Sequence, residues 1–195
     1  TLQPEALRAM FLAGKTANEK DIPVVLDPVG AGVSQFRTEA VQEILHNVKV
    51  DVIRCNASEA QTLLGMDHQG LGVDAVEPKL HDAKQDGEWV GVYRALAQKL
   101  DVVVCVTGEV DVVTDGDKVV LLRNGTPLLR KVTGTGCMTS ALIASAIACS
   151  GNALASAALG VALMGLAGEW SESECGAKGI GSFRVGLFDA LSNID

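Results

Sequence analysis

The chain has 195 residues, 48% of them hydrophobic but only 4% aromatic, with 21 glycines. That length suits one domain burying about 70% of its unfolded surface, and the balance excludes a disordered or collagen-like chain. With 16 Lys and Arg against 24 Asp and Glu, the net charge of −8 excludes a nucleic-acid or anionic-membrane surface as the expected partner, although local cations can still handle a phosphate.

Pro4 opens a predicted first helix with Leu7, Met10, Phe11, Gly14 and Ala17 at helical spacing, broken by Asp21. Thr1–Lys20 carries both charge signs, which reads as a helix rather than a signal peptide. Ile22–Leu26 is a predicted buried strand, ending at Asp27-Pro28 and a loop, Val29-Gly30-Ala31-Gly32. Thr38 is the expected cap of a second helix carrying Val41, Ile44, Leu45 and Val48 on one face. Val50–Arg54 is a second strand, and a helix runs from Asn56 to a stop at Gly65. Met66–Gly87 is polar, contains Pro78, and reads as a surface excursion.

Glu88–Leu100 is the next helix, and Asp101–Val106 a third buried strand. Asp115-Gly116 and Asn124-Gly125 are turn signals, and the alternation between them predicts an antiparallel hairpin. Gly134-Thr135-Gly136 opens a long Ala-rich helix, and two more helices lie near Ala153–Glu172 and Phe183–Ser192. The apolar stretch Ser140–Gly168 is broken by Ser150-Gly151-Asn152, so each half is expected to be too short to span a bilayer. Five widely spaced cysteines (55, 105, 137, 149 and 175) without a CxxC point to free thiols in a reducing, cytoplasmic setting, with Cys105 and Cys149 expected in the core.

Alternating strands and helices with near-continuous apolar strands predict an α/β fold with a mostly parallel sheet flanked by helices. Ligands of such sheets bind beyond the carboxyl ends of the strands. Asp27, Arg54-Cys55-Asn56 and Thr107-Gly108-Glu109 stand at those ends and should share a rim with residues 133–137. Thr133-Gly134-Thr135-Gly136-Cys137 before a helix can bind an anion, and can as readily be an ordinary capping turn; no Gly-Lys-Ser/Thr makes it a Walker loop. Asn56 and Glu59 on a first helical turn can hold a hydrated Mg²⁺ or form a capping box without metal. Asp27 reads equally as a metal or phosphoryl-site residue and as a turn aspartate, and Arg54 as a polyphosphate partner or one half of a local salt bridge. Cys137 is at a helix N-terminus, where thiol pKa values fall, or is a small core residue. His46, His68 and His81 show no metal-ligand spacing.

Taken together, Asp27–Gly32 with Phe36-Arg37, Ile53–Glu59, Val106–Asp111, Lys131–Cys137 and Gly179–Phe183 resemble hydroxyethylthiazole kinase in order and spacing over essentially the whole chain. The resemblance implies a ribokinase-like fold over 1–195 and transfer of the ATP γ-phosphate to the hydroxyl of 4-methyl-5-(2-hydroxyethyl)thiazole in thiamine salvage. It further implies that Arg54 and Thr107 contact ATP, that Gly134 meets the thiazole alcohol, and that Gly134, Thr135, Gly136 and Cys137 form an anion hole. Asp27 and Glu59 would act around Mg²⁺. Cys137 stands where most ribokinase-like kinases have an aspartate base.

The family carries a further N-terminal segment, with a thiazole-contacting methionine, ahead of the position of Thr1, and it forms trimers with sites between subunits. A cytoplasmic homotrimer is therefore expected, with 1–195 as a single domain lacking that segment. The alternatives are a hydroxymethylpyrimidine kinase, an ADP-dependent hydrate dehydratase, or an inert nucleotide-binding fragment; Cys137 in place of Asp weighs against the first two.

Overall fold

Two short runs rich in β-branched residues, Val52-Ile53 and Val103-Val104-Cys105-Val106, set the centre of the sheet. The computed structural model describes residues 2–65 and 86–193. The sheet has the order β1 (Val25–Leu26), β2 (Val52–Asn56), β3 (Val103–Thr107), β4 (Asp111–Thr114), β5 (Val119–Leu122). The first three strands are parallel, and β4 and β5 return antiparallel at one edge. This is the predicted α/β architecture, with the hairpin turning at Asp115–Lys118.

The period of two divides the strands between two cores. Ile53, Cys55, Val104, Val106 and Val112 face α2 (Gln35–Asn47), α3 (Ala57–Gly65) and α4 (Asp86–Leu100), where they meet Val41, Ile44, Leu63 and Leu96. Val52, Val103, Cys105 and Val113 face α5 (Thr135–Ser150) and α6 (Ala153–Cys175), through Ile143, Ile147, Ala157 and Val161. α1 (Pro4–Glu19) packs on α2, and α7 (Ile180–Ser192) on α6.

Several boundaries differ from the sequence reading. β1 is shorter because Val24 N–H is taken by the Asp51 carboxylate rather than by a ladder partner, and Ile22 is exposed. β2 and β3 each end further along than expected, at Asn56 and Thr107. Ser34, not Thr38, caps α2: its hydroxyl accepts from Arg37 N–H, while Thr38 donates back to the Ser34 carbonyl and accepts from Gly32 N–H. Asn124-Gly125 is not a hairpin turn but leads to a 3-10 turn, Pro127–Lys131, capped by Thr126. Cys149 is exposed, although Cys105 is buried as expected. Of the expected excursion, residues 66–85 with His68 and His81 lie outside the described residues, and Asp86-Gly87 begin α4.

α6 also departs from expectation. At 23 residues it is long and apolar enough, by length and composition, to cross a membrane. It nevertheless buries a continuous side of small residues, including Ser156, Ala157, Gly160 and Gly168, against the sheet, α5 and α7. Those are the contacts of a core helix.

The small residues let α5 and α6 approach closely. A Cβ on Gly160 would lie 2.8 Å from the backbone nitrogen of Ile143. Gly160→Ala should therefore cost about 1–3 kcal/mol, the usual range for overpacking. Gly91→Ala, on α4 where an added Cβ meets nothing within 4 Å, should instead gain about 0.5–1 kcal/mol of helix propensity. Urea unfolding checks both signs, and a Gly160→Ala protein as stable as wild type would contradict the close approach.

Candidate functional site

Sheet register brings three polar side chains to one place. Leu26 pairs with Ile53, so the next residue, Asp27, falls beside Arg54. Arg54 shares the α5 side of β2 with Val52, and Thr107 the α5 side of β3 with Cys105, the partner of Arg54 in register. Arg54 Nη2 donates to Thr107 Oγ1 at 2.5 Å, and Nη1 stands 3.6 Å from Asp27 Oδ2. The same Asp27 oxygen accepts a 2.8 Å hydrogen bond from Ser140 Oγ, one turn into α5. The Asp27 and Arg54 side chains are each 14% exposed. Asp27 Oδ1 and Arg54 Nε are buried and have no hydrogen-bond partner.

Gly136 sits directly on the Arg54 guanidinium: an added Cβ would lie 2.9 Å from Arg54 Cζ. The helix it belongs to begins at Gly134, whose φ of 98° is left-handed and natural only to glycine. No side chain caps α5, and its hydrogen-bond ladder starts with Met138 N–H to the Gly134 carbonyl at 2.9 Å. Thr135 Oγ1 instead turns back to the Leu129 and Val132 carbonyls. The amides preceding Met138 are thus available to an anion, with the helix dipole behind them. The Cys137 thiol is exposed on this first turn.

Glu59 makes the capping box: its backbone N–H donates to Asn56 Oδ1, and its Oε2 accepts from Asn56 N–H, both at 2.9 Å. Its other oxygen accepts from Gly30 N–H at 2.9 Å and so ties the loop after β1 to the loop after β2. Among the described residues, no three His, Cys, Asp or Glu side chains gather into a metal-holding group. The buried, unpartnered Asp27 Oδ1 and the spare lone pairs of Glu59 are hard oxygen donors, the kind of atom Mg²⁺ takes.

A cavity of about 1010 Å³ opens beside this cluster. Its lining includes the polar Arg54 and Thr107, Thr135 and Gly136 of α5, and the apolar Leu129, Val161 and Met164. Of the residues expected in the site, Asp27, Glu59, Gly134 and Cys137 do not line it. The sequence reading assigned no role to Ser140 or to the cavity residues Asp111 and Arg130. A Ser more than a turn inside a helix carries no local signal, since its partner is 113 positions away. Asp111 entered the sequence reading only as the last residue of the Val106–Asp111 motif; burial pushes its carboxyl above the usual 3.8, opposed by Gly108 N–H and by Arg54 and Arg130. Burial likewise drives the Cys105 thiol up to about 12, which leaves it an inert core group.

The family model described as "Hydroxyethylthiazole kinase family" matches residues 1–195. A hydroxyethylthiazole kinase of Clostridium beijerinckii is 41% identical over 194 residues, covering 100% of this chain and 70% of its own length. The solved structure of a hydroxyethylthiazole kinase protein from Pyrococcus horikoshii OT3 superposes with a TM-score of 0.85 at 36% identity, over 100% of this chain and 69% of that one. An ADP complex of Bacillus subtilis pyridoxal kinase shares the fold, at a TM-score of 0.54 and 24% identity over 86% of this chain and 61% of that one.

Gly136→Val should drive a branched side chain into the Arg54 guanidinium, which is confined between Asp27 and Thr107. Anion stabilisation at this turn should fall by roughly 10²-fold or more, the scale of losing one oriented donor. The fold should persist, because the loop is at the rim. Circular dichroism and initial rates with any phosphoryl donor that the wild type uses check the pair of outcomes; unaltered rates would contradict the packing.

Proposed function

The chain belongs to the hydroxyethylthiazole kinase family, and from that premise we propose that residues 1–195, as a single ribokinase-like domain, move the ATP γ-phosphate to the hydroxyl of 4-methyl-5-(2-hydroxyethyl)thiazole. The observation that carries the reading is the Arg54 cluster set under the uncapped start of α5, beside a cavity large enough for a nucleotide.

Phosphoryl transfer asks a protein mainly for positioning and charge stabilisation. Arg54 and Thr107 bind the phosphates of ATP. The backbone amides from Gly134 to Cys137 receive the charge that develops on the transferring group, in a geometry fixed before the reaction. Gly134, with nothing within 4 Å of where a side chain would start, lets the thiazole alcohol approach the backbone. The alcohol oxygen attacks the γ-phosphorus, the bond to the β,γ-bridging oxygen breaks, and ADP leaves. Cys137, acting as the thiolate, takes the alcohol proton and becomes the thiol. Asp27 and Glu59 would hold Mg²⁺, which when bound supplies further neutralisation of the phosphate charge.

The same reading has the enzyme working in the cytoplasm as a homotrimer. Its five free cysteines suit a reducing compartment.

Cys137 separates this reading from a purely structural thiol. Cys137→Ala should lower the rate by about 10²-fold or more, the usual scale for a general base, and Cys137→Asp should retain activity. Neither should change the melting temperature much, since the side chain is exposed. The measurement is thiazole-dependent ADP release, with hydroxymethylpyrimidine as the competing alcohol. Full activity in Cys137→Ala would remove Cys137 from the mechanism, and preference for the pyrimidine would overturn the substrate.

A further inference from the structure

The two unpartnered buried atoms of the site are complementary. Arg54 Nε is a donor, and Asp27 Oδ1 is an acceptor. Arginine and aspartate this close ordinarily form a two-bond fork, Nε with Nη2 against both carboxylate oxygens. Such a fork would satisfy both orphans, and burying a polar atom without a partner is costly. The fork is nevertheless absent: the nearest approach is the 3.6 Å contact from Nη1 to Oδ2.

Each side of the would-be fork is held by a hydroxyl. Thr107 Oγ1 accepts from Nη2, the atom that Arg54 would need beside Nε. Ser140 Oγ donates to Oδ2 at 2.8 Å, the closer of its two contacts, the other being the Gly136 carbonyl at 3.3 Å. A hydroxyl has one proton, and a carboxylate is the stronger acceptor, so Ser140 is committed to Asp27.

We infer that Ser140 is a positioning residue: it pins Asp27 so that the carboxylate does not close into a fork with Arg54, and the guanidinium stays available to an anionic phosphate chain. The inference rests on the proposed kinase reading for the identity of that chain as ATP. Ser140 does not line the cavity. It acts by withholding a competitor from Arg54. When Ser140 loses its hydroxyl, Asp27 is free to turn, its carboxylate displaces the neutral Thr107 hydroxyl as the acceptor of Nη2, the fork forms, and polyphosphate must break it before binding.

The test is the KM for ATP, kcat and melting temperature of Ser140→Ala and Ser140→Thr, together with equilibrium binding of ATP in the presence of Mg²⁺. Ser140→Ala should raise the KM and the dissociation constant for ATP about tenfold, with no loss of melting temperature, since the fork satisfies both orphans. Ser140→Thr, which keeps the hydroxyl, should behave as wild type. Unchanged ATP affinity in Ser140→Ala, or equal weakening in both variants, overturns the inference. Wild type that binds ATP without phosphorylating the thiazole alcohol would sink the substrate reading alone, because the binding comparison still reads the effect of Ser140.

Discussion

Arg54 is a cation in the middle of β2, inside a buried parallel sheet, and the arrangement of the rim follows from keeping it there. A guanidinium with little solvent must find oxygens, and an incompletely paired buried charge is expensive. The parallel register of β1, β2 and β3 supplies them, with Asp27 on one side and Thr107 on the other. Both partners hold it loosely or with one nitrogen, so the charge is retained but not consumed. The first turn of α5 then closes over the group through Gly136, where any side chain would displace it.

The helices around the sheet serve the same end at longer range. α5 can place its amides beside Arg54 only because Gly134 adopts a left-handed turn and because α6 comes close enough to fix the helix from behind. Glu59 joins the loops after β1 and β2 by accepting from Gly30 and Asn56. The sequence posed capping box and metal partner as alternatives for this residue. The box is present, and the spare lone pairs leave the proposed metal role compatible with it.

Sheet, helix order and hairpin were legible because strand and helix periods differ and because Gly and Asp mark the turns. The rim was legible as well, since Asp27, Asn56 and Thr107 each follow an apolar run and parallel strands bring such ends together. Features set by tertiary contacts were not. The Ser140–Asp27 bond joins residues with no local relation, and Ser34 displaced Thr38 as a cap because Thr38 was claimed by Gly32 and the Ser34 carbonyl. α6 is apolar nearly all round, so the helical period that would have separated a buried face from an exposed one is missing from its sequence, and Cys149 was misassigned to the core for a similar reason on α5.

The planar geometry of the Arg54 guanidinium, and not its charge alone, lets it meet Thr107 and Asp27 together. Arg54→Lys keeps the charge but cannot reach Thr107 and Asp27 with separate, rigidly spaced donors. The most direct measurement is the affinity of this variant for ATP, read beside its turnover and melting temperature. Affinity should fall at least roughly tenfold, the scale of one hydrogen bond to a charged group, in a protein that still folds. A lysine variant that binds and turns over ATP as wild type does would contradict that role of the guanidinium.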